Sequence, residues 1–181
     1  MRAFLLDTNI WEYWYNSEGY PKECSNIKNR IRELIDYEEN SESCILSLGI
    51  SVIIWGEIDY GYNIMTKKEK SKENEFRKFI SDASPWMVPI NRHVAKTYGE
   101  LRGKLFEKYA SKEKKKKGLR PEQLIDPVTS KELGIQENDL WIIAQASTFN
   151  LTFVTNDKKI SRISDIVEES LHIENWALNI K

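Results

Sequence analysis

Short apolar runs of strand length alternate along this chain with segments of helical period, and that alternation limits the folds open to it. The runs fall at residues 3–6, 44–47, 86–90, 151–155 and 171–175. Between the first two, "NIKNRIRELIDYEEN" sets Ile27, Ile31, Leu34 and Ile35 on one helical face and charges on the rest. "ISVIIWGEIDYGYNIM" carries the pattern on through Ile50, Ile53, Ile54, Ile58 and Met65, and a charged helix, "ENEFRKFISDA", comes next. Val94, Tyr98, Leu101 and Leu105 mark a further helix ending near Tyr109, and "ENDLWIIAQAST" marks another. Parallel neighbours in a sheet need crossovers, which helices supply, so the expected fold is α/β, a mostly parallel sheet covered on both faces.

A length of 181 residues suits a single domain spanning 1–181, with room for a core and one insertion. Hydrophobic residues make up 40% and charged residues 30%, a globular composition. No apolar stretch approaches the roughly 20 residues that span a bilayer, and no signal-peptide pattern opens the chain; a cytoplasmic protein with no membrane partner is expected. Cys24 and Cys44 are too few for a disulfide framework or zinc site, and both are expected to be reduced. His93 and His172 lie in no nucleophile motif, which disfavours a hydrolytic triad. Phosphate-binding glycine loops are missing as well.

The net charge of −1 speaks against a uniformly basic coat, with one local exception in "KEKKKKGLR". That run opens residues 111–135, which hold two prolines and two glycines without a sustained period. Such a piece reads as an exposed loop or insertion that buries little apolar area against its ordering entropy. Its lysines either grip phosphates or are simply solvated.

Four acids stand out. Asp7 ends the first strand in "FLLDTNIW", and Asp157 comes just after the fourth in "FVTND". Carboxyl ends of strands are where α/β sheets build ligand sites, although Asp and Asn there also close turns and cap helices. Glu57 shares the apolar face of Ile53 and Ile54, and Asp139 precedes Ile142, Ile143 and Ala146 at helical spacing, so both are expected to point inward. A core-facing carboxylate costs several kcal/mol unless paired or protonated, and neither stripe holds a Lys or Arg. A helix rotated to bring its acid to the rim, or a first-turn acid complementing the helix dipole, is the plainer reading. If the four converge, repulsion is on the order of 4 kcal/mol per pair at 4 Å and an effective dielectric near 20, so a cation must join them. Oxygen-only ligands select Mg²⁺ or Mn²⁺, and such a cluster is suited to hydrolysing a phosphodiester.

The ordered set "FLLDTNIW", "SVIIWGEIDYG", "ENDLWIIAQA", "FVTND" and "LHIENW" resembles PIN-domain ribonucleases, most closely the VapC-type toxins of toxin-antitoxin pairs, across essentially the whole chain. The resemblance implies a Rossmann-like three-layer α/β/α sandwich with a five-stranded parallel sheet. It further implies a Mg²⁺- or Mn²⁺-dependent endoribonuclease cutting tRNA, rRNA or mRNA, with a cognate antitoxin and a leaning toward homodimers. Carried over by position, Asp7, Glu57, Asp139 and Asp157 are the catalytic and metal-binding acids. Thr8, Asn9, Thr155 and Asn156 shape the pocket, and Arg102 in "YGELRGKL" contacts RNA. The length of 111–135 departs from compact members and leaves substrate class and assembly open. A non-catalytic RNA- or protein-binding module and a structure-specific DNA nuclease are the alternatives. The aromatics of "WEYWY" at 11–15 are expected to pack helices, with base stacking as the other use.

Overall fold

The structure, a computed structural model, describes residues 2–39, 46–66, 69–83, 85–110, 119–126, 128, 130–160, 166 and 171–178. The chain divides into two compact units, one of residues 1–89, 151–156 and 172–181, the other of residues 90–150 and 157–171. Among the described residues, no helix is long and apolar enough to cross a membrane.

The first unit holds the entire sheet. Strands β1 (Arg2–Leu6), β2 (Leu46–Ser51), β3 (Trp86–Val88), β4 (Thr152–Val154) and β5 (Ile173–Glu174) lie in the order β3-β2-β1-β4-β5. Every pairing is parallel, so the expected α/β fold on a five-stranded parallel sheet is the one found. Phe4, Leu5 and Leu6 in the central strand are each 3% exposed or less. A strand covered on both faces has no polar side to present, which is why its sequence is continuous apolar. Gly49 in β2 permits a close approach, since a Cβ there would stand 3.0 Å from Val88 Cγ2 and 3.2 Å from the Phe4 carbonyl.

Helices α1 (Thr8–Tyr15), α2 (Pro21–Glu39), α3 (Val52–Ile64) and α4 (Glu69–Asp82) complete this unit. The second strand departs from expectation. Residues 44 and 45 lie outside the described residues, and Ile50 and Ser51, expected in a helix, extend β2 by pairing with Met87 and Val88. The helix begins only after Ser51, whose Oγ accepts from the Ile53 amide at 2.9 Å and so caps α3. The α1 aromatics pack as expected. Trp11 is fully buried and stacks on Trp14 at 5.5 Å, Trp14 meets Phe79 edge-on at 5.1 Å, and Tyr15 lies 5.2 Å from Phe76, joining α1 to α4.

The second unit holds α5 (Arg92–Tyr109), a 3-10 turn at Pro121–Gln123, and α6 (Glu137–Thr148). Val94, Tyr98, Leu101 and Leu105 form the buried face of α5, at the spacing the sequence showed. Residues 111–135 require a correction. The lysine run at 112–117 lies outside the described residues. The stretch from 121 to 135 is not a loop that buries little: Leu124, Leu133 and Ile135 are each 3% exposed or less. The Leu133 amide donates to the Leu124 carbonyl at 3.0 Å, the Asp126 amide to Lys131 at 2.9 Å, and Ile125 bridges Glu132 in antiparallel fashion. Three apolar anchors in a hairpin outweigh the ordering entropy that had argued for a loop.

Candidate active site

The strand order reverses between β1 and β4, with β2 and β3 laid to one side of β1 and β4 and β5 to the other. Ligands of open α/β sheets bind at the carboxyl edge where such a reversal occurs. Leu6 pairs with Val154, and the Asp7 amide donates to the Val154 carbonyl at 2.9 Å, so Asp7 and Thr155 leave the two strands side by side at that edge.

The Thr155 hydroxyl, 3% exposed, donates to Asp7 Oδ2 at 2.6 Å. Asn9 Nδ2 donates to the same oxygen at 2.5 Å, and the Thr8 amide donates to Oδ1 at 2.8 Å. Asn9 is held in turn, its Oδ1 accepting from the Asn156 amide at 3.1 Å, while Asn156 Oδ1 accepts from Asn175 Nδ2 at 2.7 Å. Capping of α1 explains the Thr8 bond alone. The donors from Thr155 and Asn9 hold Asp7 as an oriented anion, because hydrogen bonds to an ionised carboxylate are roughly twice as strong as neutral ones. Asp7, Thr8, Asn9, Thr155 and Asn156, all expected site residues, are thus brought together. Asn175 was missed; only its place near the end of "LHIEN" hinted at it.

Glu57, half-buried on α3, lines a cleft of about 500 Å³ with Thr8, Glu12, Tyr15, Glu73 and Phe76. Among the described residues, Lys72 is the one basic residue in that wall. Burial holds the Glu73 carboxyl above its ordinary range; Arg77 opposes the shift and Glu12 adds to it. Among the described residues, Glu12 and Glu73 add carboxylates to the cleft beyond Glu57. Glu12 had a visible signal, lying four residues after Thr8 on the same helical face. Glu73 had none, being joined to the site only through the packing of α4.

In the second unit, Asp139 sits in the first turn of α6, half-buried, its Oδ2 accepting from the Gln136 amide at 2.8 Å. Ile142, Ile143 and Ala146 are buried, so the stripe faces the core while its acid stands at the rim, the placement that the plainer reading of a first-turn acid describes. Asp157 Oδ1 accepts from the Lys159 amide at 2.8 Å. Arg102 Nη1 donates to Glu137 Oε1 at 3.1 Å and lies 2.8 Å from the Tyr98 hydroxyl, which donates to the same Glu137 oxygen. Within neither unit, among the described residues, do three or more His, Cys, Asp or Glu side chains form a group able to hold a metal ion.

Comparison with known proteins finds relatives across nearly the whole chain. Ribonuclease VapC2 of Rickettsia felis is 26% identical over 174 residues, covering 96% of this chain and 97% of that protein. The solved VapBC2 complex of Rickettsia felis, bound to a DNA fragment from its promoter, matches with a TM-score of 0.60 at 25% identity, covering 96% of this chain and 98% of the other. VapBC-1 of nontypeable Haemophilus influenzae matches with a TM-score of 0.58 at 19% identity over 97% and 99% of the two chains, a likeness of fold. The family model of the PIN domain matches residues 4–166. The chain belongs to the PIN-domain family.

Proposed function

We propose that this protein is a metal-dependent endoribonuclease, the toxin of a type II toxin-antitoxin pair, using Asp7, Glu57, Asp139 and Asp157 as its acids. The observation that carries the reading is Asp7, fixed at the strand-order reversal by donors from Thr155, Asn9 and the Thr8 amide. A carboxylate so held does more than close a turn, and it lies where this class of sheet receives ligands.

The donors fit a hard cation. Asp7, Glu57 and the hydroxyls of Thr8 and Thr155 offer oxygen only, and among the described residues neither His nor Cys joins them. Mg²⁺ is commonly held by one or two carboxylates, with waters and substrate phosphate completing its shell, so no larger cluster is required within either unit. Bound there, the ion supplies an activated water and offsets charge developing on the phosphate. Thr155 and Asn9 hold and aim the Asp7 carboxylate; one of the other acids, Glu57, Asp139 or Asp157, assists deprotonation of the attacking water. Glu12, Glu57 and Glu73 repel a bare polyanion, so RNA entering this cleft needs the cation as its mediator. Hydrolysis leaves a 5′-phosphate and a 3′-hydroxyl.

The toxin reading is supported by similarity over nearly full length to a protein named ribonuclease VapC2, and by solved neighbours that are VapBC complexes. A cognate antitoxin is the partner proposed, and a homodimer the assembly. The test is a Mn²⁺ titration against matched RNA and DNA of one sequence, with fragment ends mapped. RNA is cut with 5′-phosphate ends and DNA is spared; equal cutting of DNA, or intact RNA at every Mn²⁺ concentration, would refute the reading.

A further inference from the structure

Arg102 was expected to grip RNA, yet its surroundings fit another task. Tyr98 and Arg102 are four residues apart on α5, and Glu137 and Trp141 are four residues apart on α6. Each pair therefore shares one helical face. The two faces meet in full. Arg102 Nη1 reaches Glu137 Oε1 at 3.1 Å, the Tyr98 hydroxyl bonds the same oxygen, and the Tyr98 ring lies on Trp141 at 3.8 Å with 2° between planes. From the hairpin of 121–135, Glu122 Oε1 accepts the Glu137 amide at 3.1 Å. Glu137 is thus held at both its amide and its carboxylate, in the same turn as Asp139.

We propose that Arg102 and Glu137 are positioning residues that fix the rotation of α6 and thereby the placement of Asp139, with no contact to RNA. The inference rests on the reading of Asp139 as an acid of the nuclease. A carboxylate about 5 Å from a helix axis moves roughly 0.9 Å when the helix turns by about 10°, and a misplacement of about 1 Å can cost on the order of 100-fold in rate. Stability alone does not account for the pair. Arg102 and Glu137 side chains are 38% and 35% exposed, and ion pairs at that exposure contribute only about 0–1 kcal/mol. Nor does the geometry suit phosphate binding, because the Arg102 charge is already offset by Glu137 and its Nη1 engaged twice. Burial, and then the bond to Glu137, push the Tyr98 phenol above its ordinary range, so it stays a donor in this network.

Mn²⁺ affinity measured by electron paramagnetic resonance on the intact protein, together with kcat and KM for RNA across a salt series, tests this in R102M, R102K, E137Q and D139N. Outer-shell partners typically cost 10–100-fold in metal affinity or activity. R102M and E137Q should both show a loss of that order, with KM and its salt slope unchanged, and R102K should recover part of it. An RNA-contacting arginine predicts the opposite split. R102M would then raise KM and reduce the salt slope by about one, while E137Q, by freeing the arginine, would tighten RNA binding. That pattern, or wild-type behaviour in both variants, overturns the inference. If R102M fails to fold, E137Q and R102K decide between the two splits. D139N separates the layers: unchanged Mn²⁺ affinity there refutes the assignment of Asp139 and this inference with it, whereas lost affinity beside unaffected R102M and E137Q refutes the positioning role alone.

Discussion

Replacing Thr155 by valine isolates the hydrogen bond on which the Asp7 arrangement turns. The hydroxyl is 3% exposed and donates to Asp7 Oδ2 at 2.6 Å. Valine keeps the shape and removes the hydroxyl, which besides donating to Asp7 accepts a long bond from Asn9 Nδ2 at 3.4 Å. Hydrogen bonds to charged groups contribute about 1.5–3 kcal/mol. At roughly 2–4 °C per kcal/mol for a chain of this size, T155V should lower Tm by about 3–12 °C and shift the urea midpoint with m unchanged. T155S retains the hydroxyl and loses one buried methyl, worth about 0.8 kcal/mol, so it should be the milder change. Packing alone predicts the reverse order, because valine fills the site and serine does not. In the D7N background the acceptor is neutral, and the cost of T155V should fall to the roughly 0.5–1.5 kcal/mol of an uncharged bond. If serine proves worse than valine, or if D7N leaves the T155V penalty untouched, the donor-held anion is wrong.

Leu133→Ala tests whether the 121–135 hairpin belongs to the core. At 1% exposure the truncation should cost about 2–5 kcal/mol in a urea titration, and a loss below about 1 kcal/mol would mark the hairpin as detachable. Glu73→Gln reads the burial of that carboxyl, which holds it above its ordinary range. The folded-state pKa is raised, so the contribution of Glu73 is most favourable below its unfolded pKa and is lost as pH rises through the folded one. E73Q should therefore raise the urea midpoint near pH 7 and leave it unchanged near pH 4, where the wild-type carboxyl is largely protonated. A gain of equal size at both pH values contradicts the burial of an ionised Glu73.

Much of the architecture was legible because local pattern and tertiary role coincide. The apolar run ending at Leu6 reads as a doubly covered strand, and Val94, Tyr98, Leu101 and Leu105 read as one face of α5. Misreadings arose where they diverge. Ile50 continues the periodicity of α3, yet β2 claims it through its pairing with Met87, and the one local signal was Ser51, a helix-capping residue. Leu124, Leu133 and Ile135 are buried, but among prolines and glycines they keep no period, so nothing short of tertiary contact announces them. At the site, Asp7 was readable as an acid closing a strand, whereas Thr8, Asn9, Thr155 and Asn156 were placed only by the family resemblance. Glu73 and Asn175 reach the same region through packing and hydrogen bonds set by distant elements. Arg102 was noticed for its charge, whereas its partner Glu137 lies 35 residues on, where no helical spacing links the two.

The most direct test of the central claim is Mn²⁺-dependent RNA cleavage by the wild type against D7N at matched, verified folding. The account predicts that D7N keeps its cooperative unfolding transition and loses more activity than the roughly 10–100-fold that outer-shell changes produce. A folded D7N protein that cuts RNA at the wild-type rate in Mn²⁺ would contradict it.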